Sequence, residues 1–167
     1  ATADTILLPF GLCGNALAGI RSGTKRLITP KSHDCLHMLV AGEPYAEPVL
    51  APDCLYFTDS WFRSENFIVN EFWQCCKRLG EAKARRAYGA MLRQYAGLTL
   101  VDTGAYAMQP ARERAAAAAD LFKLEAKEEK GTIRVLRKLF SGDWDEEFIL
   151  IGPGESLTQN AFLKKLE

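Results

Sequence analysis

Short apolar runs alternate along the chain with segments in which apolar residues recur at helical spacing. The clearest runs lie at 5–10, 26–29, 54–58, 98–102 and 148–151. Apolar runs of this length that end near glycine or proline are typical of strands buried on both faces, as in a parallel sheet. A further apolar-leaning run at 121–126 predicts one more strand.

Helices are predicted between these runs. The segments 65–78 and 81–96 have helical periodicity, and 112–120 contains five consecutive alanines. Asp34 or Ser32 is placed to cap a helix over 36–40, and Gly142 ends a helix marked by Ile133, Leu136 and Phe140. The alternation predicts an α/β fold with three layers, a mostly parallel Rossmann-like sheet with helices on both faces. At 167 residues we expect a single domain, 1–167.

The balance of basic and acidic residues limits the classes of molecule that the protein is expected to bind. Lys plus Arg and Asp plus Glu both total 21, which argues against a nucleic-acid binder. No apolar run approaches the ~18–20 residues of a membrane span, and the N-terminal residues do not resemble a signal peptide. The five cysteines lack regular spacing and are expected to be reduced thiols. These features predict a cytoplasmic protein.

Residues that directly follow the predicted strands are the candidates for chemistry, because ligands bind beyond the carboxyl ends of parallel strands. If the strands share one sheet, these residues converge along one edge. They are Cys13, Asn15, His33, Asp34, Cys35, Asp59, Trp61, Asp102, Thr103 and 152–154.

A metal site is the first hypothesis for this edge. Cys13, His33 and Cys35 carry thiol and imidazole groups, the ligand types of zinc and iron. Gly11 and Gly14 allow close backbone approach to a cofactor, and Asn15 and Asp34 are placed to contact it or to orient the ligands. The chain has no C-x-x-C pair, so the spacing is unspecific, and the plain alternative is that the cysteines fill space.

A thiol-dependent enzyme is the second hypothesis. Cys35 is predicted in the first turn of a helix, where its thiol would lose its proton more readily, and His33 could act as the base. This hypothesis predicts a thiolate that titrates well below the ~8.5 of a free cysteine.

A non-catalytic interaction module is the third hypothesis. Residues 77–93 carry six Lys and Arg side chains against Glu81, which is ordinarily a solvated helix face. Tyr56, Phe57, Trp61 and Phe62 could also present a binding surface, although aromatic residues beside a strand more often belong to the core.

Two groups of residues carry a family resemblance that covers essentially the whole chain. The first is Ile6-Leu7-Leu8, Gly11-Leu12-Cys13-Gly14-Asn15, Pro30 and His33-Asp34-Cys35, and the second is 136–142, Trp144-Asp145, Phe148 and Pro153-Gly154. Together they resemble the domain-of-unknown-function family 1638.

Family members are often encoded near corrinoid-dependent methyltransferases. The resemblance therefore implies a link to one-carbon metabolism, a corrinoid-related cofactor, and a corrinoid methyltransferase or a small molecule as partner. It also implies an upstream strand–helix segment with a third cysteine. We expect this segment to be missing here, which would leave a three-sulfur site incomplete.

Overall fold

The computed structural model describes residues 3–40 and 50–163, and it shows a mixed α/β fold. Its elements follow in the order β1 (Thr5–Leu7), β2 (Arg26–Pro30), α1 (Cys35–Val40), β3 (Cys54–Phe57), α2 (Asp59–Phe62), α3 (Ile68–Leu79), α4 (Glu81–Met91), β4 (Gly97–Asp102), α5 (Met108–Phe122), β5 (Glu125–Lys130), α6 (Arg134–Ser141), β6 (Phe148–Ile151) and α7 (Gln159–Leu163). The chain divides into two compact units, Ala1–Pro48 with Thr132–Glu167 and Val49–Gly131. The single domain expected over 1–167 stays a prediction.

The first unit contains a mixed sheet with strand order β1-β2-β6. β1 runs parallel to β2, and β2 runs antiparallel to β6. Ile28 of β2 is fully buried and packs in a cluster with α1 and α6 residues. β1 is an edge strand, and Ile6 is 42% exposed. The expectation that β1 is buried on both faces is therefore wrong.

The second unit contains a parallel sheet with strand order β3-β4-β5. Every residue of the central strand β4 is buried. The core beside it combines three phenylalanines, two leucines and the small residues of α5: Phe57, Phe62, Phe67, Leu98, Leu100, Ala111, Ala115, Ala118 and Ala119. The α5 alanines share one helix face, so that face packs closely on the sheet.

The strand predicted at 121–126 is misplaced. Leu121 and Phe122 complete α5, and Lys123 ends the helix in the left-handed conformation with φ 59°. The strand is β5 (Glu125–Lys130), and all of its residues are exposed. Five of the six are charged, so a search for apolar runs could not find it.

The α/β class is confirmed, but the strands in the described ranges belong to two three-stranded sheets, of which only the second is wholly parallel. None of the helices within 3–40 and 50–163 is long and apolar enough to cross a membrane.

Candidate functional site

The loop after β1 runs alongside the loop after β2. The backbone N–H of Leu12 donates to the Ser32 carbonyl at 2.9 Å, and the N–H of Cys13 donates to the His33 carbonyl at 2.9 Å. These bonds extend the contact between the two parallel strands beyond their ends. They bring the Cys13 loop next to the loop that leads into Cys35, as expected for two neighbouring strands.

Gly11 makes this approach possible. A Cβ at this position would lie 2.7 Å from both the Cα and the carbonyl carbon of Asp34, closer than non-bonded atoms can approach. Gly11 is buried, and the backbone that it meets is that of Asp34. The absence of a side chain at Gly11 therefore allows the two loops to pack against each other.

Three consecutive residues after Gly11 adopt the left-handed backbone conformation. Cys13, Gly14 and Asn15 have φ angles of 45°, 66° and 71°. Glycine adopts this conformation freely and asparagine tolerates it, but for other residues it costs about 1–2 kcal/mol. A cysteine held there is the kind of local strain that clusters at functional sites. Gly14 and Asn15 are exposed beside it.

The Cys13 and Cys35 side chains are both half-buried, and Cys13 is near enough to Cys35 to raise the pKa of its thiol. Burial, together with the neighbouring Cys13 and Asp34, raises the pKa of Cys35 to about 11. This direction is opposite to the lowered pKa that the thiol-enzyme hypothesis predicts. The reason is that burial of the thiol, and after it the nearby Cys13 and the Asp34 carboxylate, disfavours the thiolate.

Asp34 caps α1, as one of the two residues predicted for that role. Its Oδ1 accepts the backbone N–H of His37 at 2.8 Å and lies 2.9 Å from His37 Nδ1. Burial acts to raise the pKa of Asp34, but the backbone and side-chain contacts from His37 outweigh it and hold that pKa below its usual value. Asp34 is thus a carboxylate that fixes the start of the helix beside Cys35.

His33 is exposed on the same loop, and its ring centroid lies 5.9 Å from that of His37. Within the described ranges no group of three or more His, Cys, Asp or Glu side chains is close enough to hold a metal ion. The structure therefore brings Cys13 and Cys35 together as a pair. His33 as a third ligand stays a prediction.

The other predicted residues belong to the second sheet or to the other end of the first sheet. Asp59 lies just after β3 of the second sheet, and Asp102 is the last residue of β4 in the same sheet. Gly152, Pro153 and Gly154 follow β6, which is antiparallel to β2, so they lie at the opposite edge of the first sheet from the Cys13 loop. The expectation of one shared edge is wrong because the strands divide between two sheets and one of them is reversed.

Sequence reasoning missed Arg114, which it treated only as part of a strong helix. The Asp59 carboxylate is 6% exposed and is paired with Arg63 at 2.8 Å and with Arg114. Asp59 could have indicated this ion pair from the sequence, because it directly follows a predicted buried strand. A carboxylate that becomes buried there is expected to pair with a cation. In the same way, the Asp102 carboxylate pairs with the Lys130 ammonium group at 2.6 Å.

The loops that carry the thiol pair fall within a match to a family model described as "Protein of unknown function (DUF1638)", which covers residues 1–140. The chain belongs to the DUF1638 family. The DUF1638 match confirms the family resemblance over residues 1–140 and includes the whole of the second unit. Most of the second group of residues that carried the resemblance lies beyond the match. Comparison with curated proteins and with solved structures found no match.

Proposed function

We propose that this DUF1638 protein binds a transition metal ion, or a metal-containing cofactor, through Cys13 and Cys35, with His33 of the same loop as a further ligand. The observation that carries the proposal is the pair of neighbouring thiols at a strained turn. Gly11 and Asp34 fix the two loops, and Gly14 and Asn15 border the pair on the solvent side.

The chemistry of the donors fits a borderline-soft cation such as zinc or iron. Two adjacent thiols oppose each other's ionisation, which is one reason that the pKa of Cys35 is raised to about 11. A bound cation reverses this effect, because thiolates are the metal-binding form of cysteine. Binding at neutral pH must therefore release protons, and affinity must rise with pH.

The raised pKa of Cys35 weakens the case for a nucleophilic cysteine, since a thiol protonated at neutral pH is a weak nucleophile. The interaction-module alternative has less support. Arg85 of the basic stripe is engaged within its own unit, with Glu81 at 2.7 Å and the Phe72 ring at 5.7 Å.

The wider setting of the proposal rests on the family resemblance. From that resemblance we propose that the site serves methyl-transfer metabolism, with a corrinoid-related cofactor and with a corrinoid methyltransferase or a small molecule as the partner. A cytoplasmic location belongs to the same proposal and is supported by the irregular spacing of the cysteines. A three-layer, Rossmann-like arrangement is supported by the parallel pairings of β1 with β2 and of β3 with β4.

The test is a titration of the reduced full chain with cobalt(II) under anaerobic conditions, followed by thiolate-to-metal charge-transfer absorption. We expect Cys13→Ser and Cys35→Ser each to weaken binding by about tenfold or more. Proton release in a weakly buffered solution should accompany binding to the unmodified chain and should fall in both variants.

Cys75→Ser is the matched control, because Cys75 is another half-buried thiol but lies on α3 in the second unit. It should leave cobalt binding unchanged. Binding that survives both Cys13→Ser and Cys35→Ser, or that Cys75→Ser removes equally, would contradict the proposed site.

A further inference from the structure

A cavity of about 370 Å³ lies within the second unit, between α5 and the chain from Phe62 into α3. Aromatic side chains of Phe62, Phe67 and Trp73 line one side, and Ala117 and Ala118 of α5 line the other. Small-molecule sites are mostly apolar clefts of roughly 300–1,000 Å³. The size and the lining suit a small ligand with a flat, apolar body.

A positive charge borders this cavity at Arg114. The buried Asp59 carboxylate is shared by two guanidinium groups, those of Arg63 and Arg114, so the three side chains carry one net positive charge. The Asp120 carboxylate also lines the cavity, but it is 83% exposed and is paired with Lys123 at 2.9 Å. Its charge is therefore largely screened by solvent, and an anionic group is favoured beside Arg114.

Arg114 also keeps hydrogen-bond donors that Asp59 does not use. Its Nη2 bonds to Asp59 Oδ1, whereas its Nε is buried without a partner among the described atoms. An unmatched buried donor carries a desolvation cost that a suitable acceptor removes. The Arg114 side chain is 39% exposed, so an acceptor in the cavity can reach the guanidinium.

We propose that this cavity binds a small carboxylic acid with an aromatic body. The carboxylate accepts from Arg114, and the ring lies against Trp73 and Phe62. Asp59 positions Arg114 and holds its guanidinium at the rim. This site lies in Val49–Gly131 and does not depend on the thiol pair.

The test uses calorimetry on the full chain with 3-phenylpropanoate and its uncharged counterpart, 3-phenylpropanamide. Both probes have the same apolar body, so their difference isolates the carboxylate. We expect the acid to bind about tenfold more tightly or better, as for one charge-assisted hydrogen bond. Equal affinities, or no binding of the acid at millimolar concentrations, would overturn the proposal.

Two variants locate the binding. Ala117→Leu places a larger side chain in the cavity and keeps all three charged side chains. It should weaken binding of the acid by about tenfold or more, as expected when a small apolar site is filled. Ala116→Leu is the control, because Ala116 is also an exposed alanine of α5 and lies outside the lining. Equal effects of the two variants would overturn the assignment to this cavity.

Arg114→Lys tests the anion contact, because it keeps a cation for Asp59 but loses the planar set of donors. It should lower the affinity for the acid towards that for the amide, and it should leave the affinity for the amide unchanged. Unchanged binding of the acid would rule out the role of Arg114. If circular dichroism shows that this variant is unfolded, the two alanine variants still decide the site.

Discussion

Gly11 is the residue on which the geometry of the thiol pair depends most directly. In Gly11→Ala the new methyl group would lie 2.7 Å from the Asp34 backbone, and backbone atoms cannot move aside as a flexible side chain can. We expect a loss of about 1–3 kcal/mol in the free energy of unfolding, the usual cost of overpacking. Urea denaturation measures this loss, and weaker cobalt binding should accompany it.

Gly89→Ala is the comparison for this prediction. Gly89 lies in α4, and a Cβ there would meet nothing within 4 Å. Alanine is the better helix former, so this variant should gain about 0.5–1 kcal/mol. A Gly11→Ala protein as stable as the unmodified chain would show that the two loops are not held at this distance.

At the residue scale, the sequence predicts which thiols meet better than it predicts how they ionise. Cys13 and Cys35 are neighbours because each follows one of two paired strands, and the strands are visible as apolar runs. The pKa of Cys35 depends on burial and on the nearby thiol and carboxylate, which only the folded chain brings together. Arg114 was missed for the same reason, since its partner Asp59 is 55 positions away.

At the scale of elements, Glu147 joins α6 to the start of β6. Its carboxylate is 6% exposed and binds Arg134 at 2.5 Å and Lys138 at 2.6 Å. Burial acts to raise the pKa of Glu147, but Arg134 and Lys138 outweigh it and hold the pKa below the ordinary 4.5. The charged form is therefore the one that stabilises the contact between these elements.

Glu147→Gln should destabilise the protein by roughly 3 kcal/mol at neutral pH, because it leaves Arg134 facing a neutral group and Lys138 with only the Asp145 carboxylate. A carboxylate with a lowered pKa contributes its full stability above the unfolded value of 4.5 and loses it as the pH falls through the folded pKa. The difference between the variant and the unmodified chain should therefore shrink below pH 4.5. Urea denaturation at a series of pH values measures it.

Glu146→Gln serves as the control, since Glu146 is the exposed neighbour. Removal of a surface charge usually changes stability by less than about 0.5 kcal/mol. A difference for Glu147→Gln that stays constant down to acid pH would contradict the assigned role of its charge.

The elements that the sequence predicts well are those with a strong local signal. Strand β6 and the helix that ends at Gly142 are confirmed, because an apolar run marks the first and a left-handed glycine stops the second. The charged strand β5 was missed because its ordering comes from backbone pairing with β4, which does not require apolar side chains. Arg112 of α5 also binds Glu128 of β5 at 2.7 Å, a contact that no local pattern reveals.

At the scale of the whole molecule, local patterns predicted the α/β class but not the division into two sheets. Each apolar run predicts a buried strand, but it does not indicate which other strand pairs with it. β2 and β3 are both apolar, yet β2 pairs with β1 and β6 and β3 pairs with β4. Strand partners depend on contacts between distant parts of the chain, so the sheet order follows only from the structure.

This division predicts two separate centres of slow amide hydrogen exchange. β2 and β4 are the central strands of their sheets; β4 is wholly buried, and β2 is buried except for Arg26. Exchange from such strands requires the largest opening of the fold. Amides of Leu27–Thr29 and Leu98–Val101 should exchange most slowly, and those of the exposed edge strand β5 much faster. Both strands are hydrogen-bonded to each other, so a difference in exchange must come from burial. If β5 exchanged as slowly as β4, the β5 edge of the sheet would have to be covered.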